Sequence, residues 1–331
     1  MINRISVSSN PDSSEARGCC PEGQAFLRDA RRGIDLPLPG GGNTVERFAE
    51  FRRQGAANAS VGRLYEAHAD AFAILREARR AITPGKALAV WAAGGSKPLR
   101  LIGDPEGQDF VLDGRKVFCG GSSLVDAALV TAEGVNGQRL VMVDLKQPGV
   151  WVDSTTWKIA AFRDAGIGTV DFCQVPIMAD CVIGPPNWYG SRTGFWHGAV
   201  GVAAVWAGIA DSIVARIPEL LRRNDQLTNA AIGEVRATSW AVGALLSAAA
   251  AQIDAYPNLA HTEMALSCRY SVRVHIDRMM QIFDQEVGPA GAAFNADLNR
   301  TRQELALALS QSHGARDLAT IATHAVDCLQ H

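Results

Sequence analysis

The sequence predicts an α+β chain of several domains: a short N-terminal helical domain, a central antiparallel β-barrel and a C-terminal four-helix bundle. The hydrophobic period changes twice, at Thr83-Pro84-Gly85 and at Pro185-Pro186. Between those points about eight short β-rich pieces follow one another with no helical pattern among them. That favours antiparallel strands over alternating β and α units. The implied division is a partly disordered lead over 1–40, helices over 41–82, the barrel over 83–186 and the bundle over 187–331.

The lead begins MINRISVSSNPDSSEARGCCPEG, dominated by Ser, Asn, Pro, Asp and Glu, without the apolar stretch of a secretory signal. From Asn43 to about Arg80 apolar residues recur at three- and four-residue steps: Val45, Phe48 and Phe51, then Leu64, Ala67, Ala71 and Ile74. Thr44 is placed as the cap of the first helix, with Arg47 and Glu50 on its wet face. His68 is placed at the surface or core edge. The barrel pieces are ALAVWAA, LRLIG, DFVLDG, KVFCG, DAALVTAE, RLVMVDL, GVWVDST and TVDFCQVPI, parted by Gly, Pro, Asp and Asn. Four long helical segments then cover about 194–222, 229–255, 260–286 and 302–327. GAVGVAAVWAGIADSIVARI is long enough to raise a membrane span, but Asp211, Arg216 and the many small residues assign it to a buried helix. The bundle has more apolar faces than one four-helix core needs, which predicts a homodimer or homotetramer.

Composition narrows the partners. The 331 residues are 47% apolar and 20% charged, with a net charge of −2 and no basic block, so nucleic acid and anionic membrane are excluded as expected partners. Seven cysteines at 19, 20, 119, 173, 181, 268 and 328 form no CxxC pair and no disulfide framework. They predict a reducing, cytoplasmic setting and no metal site.

One stretch raises a chemical question. LDGRKVFCGG, Leu112 to Gly121, sets an Asp113-Gly114 turn and two cations before a short apolar run and a glycine pair. Either the pair marks a bulge or tight hairpin exit with Phe118 in an ordinary core, or it lets backbone N–H groups approach a flat ring. In the second case Phe118 packs on that ring.

The order of helical domain, β-barrel and four-helix bundle resembles the acyl-CoA dehydrogenase family, and particular residues carry the likeness. LDGRKVFCGGSSLVDAALV is similar to the family's barrel signature, a Gly-x-Lys hairpin followed by an aromatic strand and small residues. GVWVDSTTW and RDAGIGTVDFCQVPIMADCVIG resemble the strands that follow, and GFWHGAVGVAAVWAGIADSIVARI resembles the helix that opens the bundle. The likeness covers most of residues 40–331. It implies FAD, with the flavin along the 116–122 strand against Phe118, Cys119, Gly120 and Gly121. It also implies an acyl-CoA or related small-molecule substrate, and an electron-acceptor flavoprotein as partner.

Departures from the family pattern are substantial. The family's second flavin strand, Thr-Glu-x-x-x-Gly-Ser-Asp, is here VWAAGGSKP: Gly95-Ser96 survives, Lys97 replaces the acid, and Trp91 offers a flat surface. RRNDQLTNAAIGEV lacks the Arg-x-x-Phe-Gly turn on the adenine side, and GPAGAAF keeps two glycines of the usual loop. The catalytic glutamate is missing, its place held by Gln311, Ser312 and His313 in LALALSQSHGARDL. The alternative base position of some members corresponds to about His197. A neutral histidine can take a proton, so His197 first and His313 second are the candidate bases, each also readable as a helix-end histidine satisfied by a carbonyl. Glu263 and Glu304 sit near predicted helix starts, where the dipole alone favours a carboxylate. Arg300 and Arg302 resemble the family's Arg-x-x-Arg-Asp turn. The expected function is a flavoprotein oxidoreductase that removes an α-proton and a β-hydride from an acyl thioester. The alternative is a repurposed or non-catalytic member of the same fold.

Overall fold

The computed structural model describes residues 21–82, 84–103, 109–221 and 225–329. The first twenty residues, with Cys19-Cys20, and Thr83 of the first predicted break lie outside these. Within the stretch read as a lead, helix α1 (Pro21–Arg32) forms, because Phe26, Leu27 and Ala30 make one buried stripe. Helices α2 (Thr44–Ala57) and α3 (Ala59–Glu77) follow as the periodicity predicts. Asn58 ends the first, and its side chain accepts from Val61 N to cap the second.

Three side chains of this region sit differently from expectation. Thr44 is not a cap: it is the first residue of α2, and its hydroxyl accepts from Gly40 N and donates to Asp254 on a distant helix. Arg47 is buried, donating to Pro37 O and Asp70, because the face read as wet is covered by the Pro37 segment and by α3. His68 is buried too, and its Nδ1 accepts the Leu88 N–H.

The strands are β1 (Leu88–Trp91), β2 (Arg100–Gly103), β3 (Asp109–Cys119), β4 (Ala127–Gly134), β5 (Gly137–Asp144), β6 (Val150–Asp153), β7 (Gly168–Met178) and β8 (Val182–Ile183). They form one sheet in the order β6-β7-β3-β2-β4-β5-β8, with β1 on β4. The sheet is mixed rather than antiparallel. β1 and β2 both run parallel to β4, and they share one β4 edge, β1 along Ala127–Val130 and β2 at Glu133. The edges β6 and β8 do not pair among the described residues, so no closed barrel is seen. The turn expected at Asp113-Gly114 is not a turn either. β3 runs straight through it, and Gly114 takes φ 124° where the register against β7 shifts, a bulge in place of a hairpin.

After the short helix α4 (Trp188–Ser191) come α5 (Gly194–Val214), the one-turn α6 (Ile217–Leu220), α7 (Gln226–Ala255) and α8 (Thr262–Ala293). The last of these is broken at Gly288 (φ 67°) ahead of Pro289. The fourth predicted segment is two helices, α9 (Ala296–Leu309) and α10 (Ala315–Leu329), parted at Ser310–Gly314 by Gly314 in the left-handed region. α5 is the central element: it packs on α2, α3, α7, α8 and α9. Ala203, Ala204, Trp206, Ile209 and Ala210 are all buried, which answers the membrane question in favour of a core helix.

Candidate active site

Where β3 ends, the chain bends sharply. Its register against β7 shifts between Lys116 and Cys119, and Phe118 takes φ 55°, a left-handed conformation that costs a bulky residue about 1–3 kcal/mol. The bulge turns the Phe118 ring out of the sheet, leaving it 62% exposed, edge-on to Trp157 at 6.1 Å. A bulge is therefore present, but Phe118 is not in a core.

The glycine pair divides its roles. A Cβ built on Gly120 meets nothing within 4 Å, and Gly120 O accepts the Trp91 Nε1–H at 2.8 Å, which fixes the peptide's orientation. Gly121 has φ 76°, and its Cβ would fall 2.9 Å from Val125 and 3.1 Å from Leu64, so it is a turn glycine seated on the core. Cys119 is buried, with its thiol pushed up to about 12 by burial, and offers nothing to a ligand. Gly95 and Ser96 are exposed on the loop after β1 and line neither cavity described next.

Beside Phe118 lies a slot of about 410 Å³, a volume typical of small-molecule sites. Leu64 and Ala67 of α3, Val90, Gly120, Trp157, Phe162 and Ile167 give it apolar walls. Ser310, Gln311 and His313, from the turn between α9 and α10, give it a polar rim. It shares Arg63, Val90, Phe118, Gln311 and His313 with a second cavity of about 370 Å³, so the two form one bent cleft. That second part, the chamber, is bounded by Trp91, Tyr189, Phe195 and Trp196, and it is charged. Arg63, Glu66, Asp70, Arg192, Arg269 and Asp317 all line it.

Most of these charges are matched. Arg63 pairs with Glu66 at 2.6 Å, Arg47 with Asp70 at 2.8 Å, and Arg192 with Glu77 at 2.8 Å. Asp317 receives the His313 N–H at 3.0 Å and lies 3.7 Å from its Nδ1. Burial pushes the Glu66 carboxyl up to about 8 against the opposing pull of Arg63. Lys116 of β3 is buried and lines neither cavity. Its Nζ donates to Thr131 O and Oγ1 at 2.7 Å, and burial draws its pKa down to about 8.

The two candidate bases line different cavities. His313 is on the cleft. His197, at the start of α5, instead lines a neighbouring cavity with Leu38, Glu77 and Pro257. Its Nε2 donates to Leu259 O at 2.8 Å and its ring lies 5.5 Å from that of His261, with burial holding its pKa below the usual histidine value. That is the geometry of a helix-end histidine satisfied by a carbonyl, in a cavity that shares Asp70, Arg192 and Gly198 with the chamber. Glu304 is no dipole-favoured helix start. It is buried inside α9, where Oε1 accepts from Phe162 N at 3.0 Å and Ser60 Oγ at 3.3 Å. Arg300 pairs with Asp164 at 2.9 Å.

The chamber residues Arg63, Glu66, Asp70, Arg192 and Arg269, and the aromatics Trp157 and Phe162, went unread in the sequence. A signal existed for three of them. Arg63, Glu66 and Asp70 repeat at the same three- and four-residue step as the apolar stripe of α3, so this helix is lined by charge and apolar groups on adjacent faces.

Neither protein-family models nor curated proteins match the chain. Solved structures do. A complex of TdsC from Paenibacillus sp. A11-2 with FMN and indole aligns with TM-score 0.75 at 16% identity, covering 91% of this chain and 86% of that one. FkbI, for biosynthesis of the methoxymalonyl extender unit of the Fk520 polyketide immunosuppressant, aligns at 0.75 and 15%, over 92% and 93%. KijD3, in complex with FMN and a dTDP-amino sugar, aligns at 0.72 and 17%, over 95% and 96%. Likeness at these identities establishes architecture: the chain has the acyl-CoA-dehydrogenase-like fold.

Proposed function

We propose that the slot beside Phe118 holds a flavin and that the protein is a flavin-dependent oxidoreductase. The observation that carries this reading is the unfilled face of Gly120. In a slot walled by Phe118, Trp157 and Phe162, a strained bulge and an indole-to-carbonyl bond hold open a backbone surface that no side chain covers. The lining fits a flat conjugated ring, with Ser310 and Gln311 available to its polar edge. A bound flavin supplies two-electron transfer and, when reduced, reaction with dioxygen. The chain's part is to orient it with Phe118 and Trp157, to exclude water with the α9–α10 turn, and to hold a proton at His313, whose backbone Asp317 anchors.

FMN is the favoured form. The residues that would meet an adenine in the family pattern are missing from RRNDQLTNAAIGEV, and the dibenzothiophene monooxygenase TdsC, similar in fold, has been solved with FMN bound. FAD-dependent dehydrogenation of an acyl thioester is the second reading, and the His313–Asp317 pair favours it as a place for the α-proton.

The test is reconstitution. Wild-type protein titrated with FMN and with FAD is expected to quench FMN fluorescence in a one-to-one complex. Gly120→Val is expected to lose that binding roughly a hundredfold with an unchanged Tm, because the new side chain enters open space in the free protein. Anaerobic bleaching of bound flavin by acyl-CoA thioesters would establish the second reading. A Gly120→Val protein that binds flavin as wild type does would end the first.

A further inference from the structure

We propose that the charged chamber is the substrate site, that the substrate carries an oxyanion (a carboxylate in the first instance), and that Arg269 with Arg192 receives it. The substrate role rests on the flavin reading of the adjoining slot; the anion site itself does not.

Arg269 is the chamber's guanidinium that forms no ion pair among the described residues, whereas Arg63 and Arg192 each have one. It is 8% exposed, its Nη1 donates to Ala199 O at 2.5 Å, and its guanidinium lies 4.7 Å over the Trp206 ring. Among the described residues it forms no ion pair and no further hydrogen bond, so Nε and Nη2 have no protein acceptor. Asp317 acts on it only from beyond ion-pair distance. Arg192 is 7% exposed, and one edge is committed to Glu77 while its Nε is buried without an acceptor. Of the other chamber groups, Asp70 pairs with Arg47 and Glu66 lies against Arg63, while Asp317 accepts the His313 N–H. An isolated buried cation is costly, and a guanidinium keeps its charge, so the deficit is one that a bound anion would make good. A carboxylate matches the guanidinium fork in geometry as well as charge. A long acyl chain, by contrast, would have to lie among six Arg, Asp and Glu side chains. The chamber joins the slot through Phe118, Gln311 and His313, so an anion held at Arg269 leaves the rest of a small molecule facing the ring site.

The experiment is calorimetric titration of the full chain with butyrate, inorganic phosphate and the neutral isostere butyramide, in wild type, Arg269→Gln and Arg269→Lys. At least one anion is expected to bind one-to-one, with butyramide roughly tenfold or more weaker. Arg269→Gln is expected to reduce anion affinity by a similar factor without lowering the Tm of the free protein, and Arg269→Lys to restore part of it. Butyramide binding as tightly as butyrate, absence of binding by either anion, or an Arg269→Gln protein with wild-type anion affinity would each overturn the proposal. FMN and riboflavin, titrated in parallel, separate the sources of the anion. If Arg269→Gln weakens FMN but not riboflavin, the guanidinium holds the flavin's phosphate, and the substrate proposal fails while the flavin reading stands. If neither flavin binds wild type but butyrate does, the flavin reading fails and the anion site stands.

Discussion

Phe118 and His68 show how much of this protein is decided by single side chains in uncomfortable places. Phe118 is held in a left-handed conformation and left largely in solvent, two unfavourable choices that one packed core would have avoided together. His68 is the reverse, a titratable ring sealed between Phe26 and Phe72. Because its Nδ1 must accept the Leu88 N–H, the ring is neutral in the fold, and burial draws its pKa down to about 4. The folded state therefore refuses a proton that the unfolded chain takes up near pH 6.5. This contribution to stability is complete above that pH and is lost as the pH falls toward 4, about 3 kcal/mol in all. Urea unfolding at pH 7 and pH 5 is expected to differ by about 2 kcal/mol from this group. His68→Gln, which keeps an acceptor for Leu88, is expected to flatten that limb; an unchanged slope would assign the acid loss elsewhere.

At the scale of elements, the slot's outer wall depends on α9. The irregular segment from Trp157 to Ala165 has no strand partner of its own there; it is tied to the helix by Phe162 N to Glu304 and by Arg300 to Asp164. Glu304→Ala is expected to cost about 1–3 kcal/mol, since Phe162 N and Ser60 Oγ lose their acceptor, and to weaken flavin binding with it. Glu304→Gln keeps an acceptor oxygen and is expected to recover most of both, read by Tm and flavin fluorescence. Equal effects from the two variants would show that charge, not acceptance, is what matters. This dependence also marks the limit of what the sequence reveals. The strands were legible because short β-rich runs parted by Gly, Pro, Asp and Asn are a local signal, and so was α5, whose apolar run has no other use. The bond from Glu304 to Phe162 spans 142 positions, and nothing in RQELALAL distinguishes a wet glutamate from one aimed at a backbone N–H. Arg47 and His68 were misplaced for the same reason: burial of a polar residue depends on a partner supplied from another element. The parallel pairing of β1 was hidden because it requires the β2–β3 pair to intervene before β4 returns. Phe118 and Gly120 were legible as a unit, but only the bulge shows that the ring leaves the core.

Across the whole molecule one core cluster runs from α1 through the sheet to α9, yet α7 shares in it by one face only. Its other side carries Trp240, 76% exposed, on a groove of about 880 Å³ formed with α2, α5 and α6. The floor of that groove is ordered: Arg52 pairs with Asp211 at 2.6 Å and donates to Ser239 Oγ at 2.7 Å, so its shape is held by ion pairing and not by loose apolar packing. An indole left in water beside a preformed groove is unfavourable for a chain on its own, and the expected homodimer or homotetramer would cover it. Size-exclusion chromatography with light scattering at micromolar concentration is expected to give a multiple of the 35.3 kDa chain mass. Trp240→Glu places a charge in the same contact and is expected to shift the population toward monomer with little change in Tm, because Trp240 contributes little to the monomer's own core. A monomeric wild type refutes the assembly, and a Trp240→Glu protein that stays associated moves the interface off α7.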